Sequence, residues 1–293
     1  MEIADRPPDR GTVGRSRVLV VDGNVARSRR DRLVAEEPME IRAAGPDQAP
    51  MSVAVTMRTP GSDMELAAGF LFTEGLIESR DEIATMRYCG LEEPEEQRFN
   101  IVTVELRRAF DPGVLQRNFY ATASCGICGK ASIDQVEIAS KPLGSGPLVS
   151  GAILERLPDE LRQSQEVFDA TGGLHAAGLF DAGGDLLAVR EDVGRHNALD
   201  KLIGHLLLDD RVPASDRIAL VSGRASFELV QKAAMAGIPI LCAVSAPSTL
   251  AVDAARRLGM TLVGFLRGTR FNVYTHPERL ELAQARRTAR AAS

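Results

Sequence analysis

The chain lacks the features that mark several classes of protein. No apolar run approaches the length of a membrane span, and residues 1–10 contain no apolar stretch of the kind that a secretory signal needs. The net charge of −5 argues against a protein whose main task is to hold a nucleic-acid backbone. The sequence has neither an internal repeat nor a low-complexity segment, which argues against a solenoid. We therefore expect a cytoplasmic protein that binds neither membranes nor nucleic acid.

The sequence also has few cysteines, and only Cys125 and Cys128 lie close together in it. Glycines and Lys130 flank this pair, and positive charge or backbone N–H groups lower the pKa of a thiol and favour the reactive thiolate. A second thiol can release whatever the first one carries by forming a disulfide behind it. The pattern predicts that Cys125 is a sulfur or electron carrier on a mobile loop, assisted by Cys128.

A structural zinc site is the alternative for this pair. Such a site needs four ligands, usually from two close pairs, and the sequence offers only half of that set. Cys89 remains available as a third ligand. Cys242 lies in an apolar run and is expected to be a buried core thiol.

Length and composition predict two domains with a full hydrophobic core, since 44% of the 293 residues are hydrophobic. The first half shows strands starting near residue 18 and over 51–57 and 99–106, with a helix over 65–73. The predicted organisation is a disordered tail (1–14), a β-rich N-terminal domain (15–120), a mobile loop and linker (121–150), a second domain (151–277) and a polar C-terminal tail (278–293).

The second half alternates strands and helices more regularly. The pattern predicts a helix over 158–168 and a hairpin of two strands, 174–180 and 186–190, joined by a glycine-containing turn. Strands over 218–221, 239–244 and 261–265 then alternate with helices over 194–208, 226–236 and 248–258. Apolar strands joined by helical crossovers imply a mostly parallel sheet covered on both faces.

Three strand-to-helix junctions of this half carry polar groups suited to anions. Ser222, Gly223 and Arg224 follow one strand, Ser248 follows the next, and His196 lies at the start of the preceding helix. Helix N-termini offer free N–H groups and a positive dipole end, and arginine can bind phosphate through two donors. Ordinary N-capping by serine is the alternative at each junction. Three such junctions together favour a phosphate-bearing ligand.

A further basic element follows the last predicted strand. Arg267 and Arg270 enclose Gly268 and are bracketed by Phe265 and Phe271. Two guanidinium groups beside aromatic rings could bind a diphosphate and stack on a purine. A solvated strand end is the alternative.

Five segments together resemble the formate dehydrogenase accessory sulfurtransferase family, FdhD: 124–132, 171–175, 191–201, 222–224 and 264–275. The resemblance implies a homodimer that takes persulfide sulfur from a cysteine desulfurase. It implies that the sulfur passes to the molybdenum cofactor, bis(molybdopterin guanine dinucleotide), which is bound as a substrate and is needed by formate dehydrogenase. Cys125 would hold the persulfide and Cys128 would assist; no permanent metal is predicted. The residues expected to contact the guanine dinucleotide are Phe265, Leu266, Arg267, Gly268, Thr269 and Arg270.

This family is associated with a cytidine-deaminase-like fold. The resemblance therefore implies an α/β chain whose region 151–277 is a three-layer deaminase-like domain with a mixed sheet, preceded by a smaller β-rich α+β domain. A zinc deaminase needs His-x-Glu before its cysteine pair. Here Cys125 and Cys128 precede His175, and Ala177 stands where the glutamate is needed, which argues against deamination. A chaperone that only holds the cofactor is the other alternative, and it would tolerate Cys125→Ala.

Overall fold

The structure is a computed structural model that describes residues 2–4, 11–88, 99–109 and 142–282. Cys89, Cys125 and Cys128 therefore lie outside the described residues, together with the predicted mobile loop around the cysteine pair. Within the described ranges the fold is mixed α/β, with several sheets and six α-helices.

The first half of the chain is rich in strands, as expected. Its elements are β1 Glu2–Ala4, β2 Val13–Asp22, β3 Val25–Val34, β4 Glu37–Ala44, β5 Met51–Arg58, α1 Asp63–Thr73, β6 Ile83–Tyr88 and β7 Ile101–Leu106. Five of the strands form one sheet in the order β1-β6-β7-β4-β5, while β2 and β3 form a separate hairpin.

The second half alternates as the sequence predicted. Its elements are β8 Val149–Ser150, α2 Gly151–Gln163, α3 Glu166–Thr171, β9 His175–Phe180, β10 Leu186–Asp192, α4 Arg195–Leu208, β11 Ile218–Val221, α5 Phe227–Met235, β12 Ile240–Ala243, α6 Thr249–Leu258, β13 Thr261–Arg267, β14 Arg270–Thr275 and β15 Leu280–Glu281. Six strands form a sheet in the order β10-β9-β11-β12-β13-β14. The central strands β11, β12 and β13 are parallel. Strands β9 and β14 run antiparallel to them, and β10 runs antiparallel to β9, so the sheet is mixed.

Alternation along the strands of the six-stranded sheet builds a core on each of its faces. On β11, Ala219 and Val221 belong to the larger apolar cluster, whereas Ile218 and Leu220 belong to the smaller one. Successive side chains of a strand point to opposite faces, so both faces must be covered. Helix α2 covers one face, and α4, α5 and α6 cover the other.

Helices α1 and α4 join the two larger sheets. They make the most extensive contact between any two elements of the described chain. The larger apolar cluster contains residues of the five-stranded sheet, such as Ile41, together with Leu202 of α4 and Leu241 of the six-stranded sheet. The two halves therefore share one core across the α1–α4 contact.

The single helix predicted over 158–168 is wrong, because the chain forms two helices there, α2 and α3. Proline is favoured in the first turn of a helix, which made Pro158 a plausible start. Instead Pro158 lies inside α2, where Leu154, Leu157 and Leu161 form one buried face. Tertiary burial of that face outweighs the cost of an internal proline.

The two predicted tails also differ from the structure. Strand β1 pairs with β6 and β2 begins at Val13, both within the stretch 1–14 that was expected to be disordered. At the other end, β15 pairs with β8, and the buried side chain of Arg279 donates hydrogen bonds to the carbonyl oxygens of Gly144 and Ser145. These backbone and side-chain bonds extend the ordered structure beyond the predicted boundary. No helix of the described residues is long and apolar enough to cross a membrane.

Candidate functional site

A cleft of about 670 Å³ lies at the carboxyl ends of the central strands. One wall comes from helices α2 and α3 with Arg162, Gln165 and Phe168. The facing wall comes from the strand ends and adjoining loops at this edge, including His175 at the start of β9 and Arg267 at the end of β13. Ligands of open α/β sheets bind at this edge, and the volume is typical of a small-molecule site.

Backbone hydrogen bonds hold the loops of the facing wall side by side. The N–H of Ser245 donates to the carbonyl of Gly223 at 3.3 Å, and the N–H of Phe265 donates to the carbonyl of Ser245 at 3.1 Å. The N–H of Ser248 likewise donates to the carbonyl of Ala225 at 3.0 Å. Backbone hydrogen bonding between neighbouring segments thus continues past the ends of the strands. It holds the loops in fixed positions.

Ser222 is fixed by two hydrogen bonds to one residue. Its N–H donates to the Ala176 carbonyl at 2.9 Å, and its Oγ accepts from the Ala176 N–H at 2.9 Å. The Ser222 hydroxyl lines the cleft and retains its own proton for donation. It is therefore an oriented donor at the floor of the site.

Arg267 provides a positioned positive charge. Its Nε donates to the Val244 carbonyl at 3.0 Å, while the residue as a whole is exposed and lines the cleft. Across the cleft, the guanidinium of Arg162 lies 4.6 Å from the centre of the Phe168 ring and pairs with Asp169. Two guanidinium groups therefore border the cleft from opposite walls, which suits an anionic ligand.

The turn between β13 and β14 carries the other predicted dinucleotide-binding residues. Phe265 has a φ of 54°, a left-handed conformation that is rare for a bulky side chain, and its side chain is 40% exposed. Such backbone strain is found at functional sites more often than elsewhere. Leu266 also lines the cleft, but it is fully buried in the smaller apolar cluster, so it forms part of the apolar base of the cleft.

His175 and Arg195 meet beside Gly223. A Cβ atom on Gly223 would lie 3.4 Å from His175 Nδ1 and 3.9 Å from Arg195 Cδ. Burial lowers the pKa of His175 below its ordinary value of 6.5, and the nearby charge of Arg195 lowers it further. The ring is therefore neutral at pH 7 and can both donate and accept. Arg195 Nε is buried and has no hydrogen-bond partner among the described residues, so a donor remains free next to the cleft.

His196, a predicted binding residue, is held by α5 rather than by the cleft wall. Its Nε2 lies 2.7 Å from Glu228 Oε2 and 3.3 Å from Ser226 Oγ. The hydrogen bond from His196 lowers the pKa of Glu228 below 4.5. His196 is not among the described residues that line the cleft.

Asp192 has a structural role. Its carboxylate is fully buried and accepts from Lys201 Nζ at 2.7 Å, from the Thr59 N–H at 3.1 Å and from the Gly194 N–H at 2.8 Å. Asn197 Nδ2 donates to it at 3.0 Å. These bonds tie the first residues of α4, which carry Arg195 and His196, to the loop that follows β5.

The predicted junction residues fall into two groups. Ser222, Leu266, Arg267 and Gly268 line the cleft. Arg224, Ser248, Phe265, Thr269 and Arg270 are exposed at the same edge. The hydroxyl oxygen of Ser248 accepts from the Ala251 N–H at 3.1 Å, so the capping alternative describes this serine. Gly223 lies between the two groups, against His175.

Several residues of the cleft were not selected from the sequence. Gly172, Gly173 and His175 belong to a segment that carried the family resemblance, and that segment was the signal available for them. Gly172 ends α3 with a φ of 71°, a conformation that favours glycine. Arg162 and Phe168 had no local signal, because only the packing of α2 and α3 on the sheet brings them to the site.

Of the four cysteines, only Cys242 lies among the described residues. Cys242 is free and fully buried in the smaller apolar cluster, which confirms the expected core thiol, and burial raises its pKa to about 12. Among the described residues no group of three or more His, Cys, Asp or Glu side chains could hold a metal ion. Because Cys89, Cys125 and Cys128 lie outside those residues, the zinc alternative stays a prediction.

Comparisons with known proteins agree on one family. The FdhD/NarQ family model matches residues 34–281. A sulfur carrier protein FdhD from Mycolicibacterium paratuberculosis is 51% identical over 271 residues, which cover 91% of this chain and 98% of that protein. One from Streptomyces coelicolor is 51% identical over 286 residues, covering 94% and 98%. The crystal structure of a protein described as a formate dehydrogenase accessory protein, from Desulfotalea psychrophila, matches with a TM-score of 0.71 and 26% identity, covering 92% of this chain and all of that chain.

Proposed function

Because the chain belongs to the FdhD/NarQ family, we propose that it is a sulfurtransferase in the maturation of formate dehydrogenase. It takes persulfide sulfur from a cysteine desulfurase and transfers it to the molybdenum cofactor, bis(molybdopterin guanine dinucleotide), bound as a substrate. The curated relatives that share about half of its residues are named sulfur carrier proteins, which supports this role. The observation that carries the proposal is the arginine-bordered cleft in a chain that also holds a Cys-x-x-Cys pair.

Loading is a thiol exchange. The Cys125 thiolate attacks the terminal sulfur of the donor's persulfide, a new S–S bond forms on Cys125, and the donor cysteine leaves as a thiolate. Cys128 then offers a route for release: its thiol attacks the inner sulfur of the Cys125 persulfide, a Cys125–Cys128 disulfide forms, and the outer sulfur leaves as hydrosulfide. A dithiol reductant must then reduce the disulfide before the next cycle.

The cleft supplies binding for the nucleotide part of the acceptor. Arg267 is held by its Nε bond to Val244, which leaves the terminal nitrogens of its guanidinium free to donate to a diphosphate. The Ser222 hydroxyl and the neutral His175 ring add donors that carry no charge. Phe265, exposed beside Arg267, supplies an aromatic face for the guanine. His196, Arg224, Ser248, Thr269 and Arg270 extend this proposed surface.

Five further features belong to the same proposal. The region 151–277 has the cytidine-deaminase-like topology, in which α4, α5 and α6 cover one face of the mixed sheet. The protein works in the cytoplasm as a homodimer. It holds no permanent metal, and formate dehydrogenase is the partner whose cofactor it completes.

Peptide mapping under anaerobic conditions tests the sulfur relay. After incubation with a cysteine desulfurase and cysteine, the native protein should gain one sulfur atom on the peptide containing Cys125, and Cys125→Ala should lose this gain. Cys128→Ala should still load but release sulfur more slowly. If the native protein gains no sulfur in this incubation and instead contains stoichiometric zinc, the proposal is overturned. A Cys125→Ala variant that still activates formate dehydrogenase would favour the chaperone alternative.

Calorimetric titration with GDP tests the cleft separately. Removing a charge-assisted hydrogen bond of about 1.5–3 kcal/mol weakens binding roughly 10- to 100-fold, so Arg267→Ala should bind GDP that much more weakly. Arg256→Ala is the matched control, because Arg256 pairs with Asp253 on the surface of α6. Equal affinities of the two variants for GDP would remove the cleft from the proposal.

A further inference from the structure

The β2–β3 hairpin is strongly basic. Residues 13–34 contain six arginines, two aspartates and no lysine, in a chain whose net charge is −5. Its ten residue pairs run from Val13 opposite Val34 to Asp22 opposite Val25, and no other described strand pairs with either strand. Ten residues of antiparallel strand span roughly 34 Å. A long, thin, basic surface therefore projects from the body of the protein.

Four of the arginines share one face of the hairpin. Arg15 lies directly opposite Arg32, and Arg17 lies directly opposite Arg30. Directly paired residues, and residues two apart on one strand, point to the same side. Like charges placed opposite each other destabilise a strand pair. None of these four arginines forms an ion pair within the described residues, whereas Arg29 on the other face pairs with Asp31 at 3.1 Å.

The same face continues into an apolar end. Leu19 and Val21 follow Arg17 at two-residue intervals, and they are 66% and 64% exposed. Their opposite residues, Ser28 and Ala26, are small. Arginines beside exposed aliphatic side chains have the composition of protein interfaces, where arginine is enriched and lysine is depleted. We call this face, formed by Arg15, Arg17, Leu19, Val21, Arg30 and Arg32, the arginine face.

The base of the hairpin lies next to the cleft. Strand β3 contacts α3, the helix whose Phe168 lines the cleft. Val34 at the end of β3 packs against Gly173, another lining residue, since a Cβ on Gly173 would lie 3.1 Å from Val34 Cγ1. A molecule held by the arginine face is therefore positioned beside the cleft entrance.

Because the base of the hairpin lies beside the cleft that is proposed to hold the cofactor, we propose that the arginine face docks a carboxylate-rich surface of the formate dehydrogenase whose cofactor this chain completes. This inference rests on the proposed function and names the surface through which a partner binds. Four guanidinium groups without acidic neighbours on their face complement carboxylates, and each can bind one through two parallel hydrogen bonds. The partner brings the negative charge that the hairpin itself lacks.

Other classes of occupant fit less well. The hairpin has no aromatic residue to stack on bases or to lie at a membrane interface. A symmetric contact with a second copy through this face would bring two sets of like charges together. A different protein can bring carboxylates to the arginines and an apolar patch to Leu19 and Val21.

Binding of full-length protein to a purified cysteine desulfurase, and separately to a purified formate dehydrogenase, tests the inference. The variant R17Q/R30Q removes two arginines of this face, and R27Q/R29Q removes two from the opposite face with the same change in net charge. We expect R17Q/R30Q to weaken binding to formate dehydrogenase by about tenfold or more, with the difference shrinking at high salt. A loss confined to the cysteine desulfurase would overturn the inference. The control should change affinity less than about threefold.

A single charge reversal separates docking from folding. R17E places a carboxylate opposite Arg30, an attractive cross-strand pair that should keep or raise the melting temperature. Weaker partner binding by this stable variant would support the inference. Unchanged binding by R17Q/R30Q and R17E, or equal loss in both double variants, would overturn it. So would a loss confined to self-association, to anionic vesicles or to single-stranded RNA.

Failure of the docking inference is distinguishable from failure of the proposed function. GDP affinity and loading of Cys125 from a high concentration of desulfurase do not require the arginine face. If those two properties hold in every variant while partner affinity does not change, only the docking inference fails. If native protein neither loads sulfur nor binds either partner, both fail.

Discussion

The crossing of α1 and α4 gives the sharpest stability prediction. Gly69 of α1 and Gly204 of α4 let the two backbones touch: a methyl group on Gly69 would place its carbon 1.9 Å from the Asp200 carbonyl oxygen. An ordinary contact begins near 3.4 Å, so the helices would have to move apart by about 1.5 Å. The obstacle is backbone, and no side chain can rotate away to relieve it.

Two opposing effects set the size of the change. Alanine is better than glycine inside a helix by about 1 kcal/mol, which would stabilise Gly69→Ala if the site were open. Separating the helices weakens the packing of Leu66 and Leu202 in the shared core, and a gap of about 0.5–1 Å already loses a quarter to a half of each contact. Overpacking in a rigid core costs about 1–3 kcal/mol, and a backbone obstacle places the cost at the upper end, so after the gain in helix propensity we expect a net loss of about 2 kcal/mol.

Thermal and urea unfolding followed by circular dichroism measure this loss. At roughly 2–4 °C per kcal/mol, the melting temperature of Gly69→Ala should fall by about 4–8 °C. Gly144→Ala is the control, since nothing lies within 4 Å of a Cβ at that position. A melting temperature for Gly69→Ala at or above the native value would show that helix propensity prevails and would refute the close crossing.

Three further predictions concern titratable groups. Lys201→Met leaves the fully buried Asp192 carboxylate without its cation and should cost about 3–5 kcal/mol of unfolding free energy in urea titration. Cys242, whose pKa is raised by burial to about 12, should resist iodoacetamide at pH 8 until the protein unfolds. The hydrogen bond from His196 lowers the pKa of Glu228 below 4.5, so its stabilisation is complete above pH 4.5 and is lost as pH falls through the lowered pKa. Glu228→Gln should therefore reduce the acid dependence of stability.

Each of these predictions has a contradicting result. A loss below about 1 kcal/mol in Lys201→Met would mean that water reaches the pair. Labelling of Cys242 in folded protein, judged by peptide mass, would mean that the core opens at this strand. Identical acid unfolding curves for native protein and Glu228→Gln would mean that the His196–Glu228 contact contributes nothing in solution.

Local patterns were enough for much of the second half of the chain. The apolar run 218–221 became β11 with the predicted bounds, and the glycine-containing turn joined β9 to β10 as expected. Cys242 was placed in the core from its apolar neighbours alone. These features depend on the periodicity of a few adjacent residues, so they can be seen without knowing what the segment packs against.

The residues of the cleft were only partly predictable, because local patterns do not show which distant segments pack together. Residues that directly follow strands, such as Ser222 and Arg267, could be selected because strand ends meet at one edge. Arg162 reaches the cleft only because α2 runs through Pro158 and α3 follows it, a course fixed by burial of the leucine face of α2.

By itself, the sequence determined the alternating α/β second half, the polar strand ends, the core position of Cys242 and membership of a family. The tertiary structure alone decided what the charged residues do. Asp192 accepts from the Thr59 N–H, 133 residues away, and Thr59 in turn accepts from Lys201 Nζ at 2.8 Å. A charged residue next to a strand end looks the same in sequence whether it binds a ligand or a distant backbone. Only the fold brings its partner within hydrogen-bond distance and excludes water from the pair.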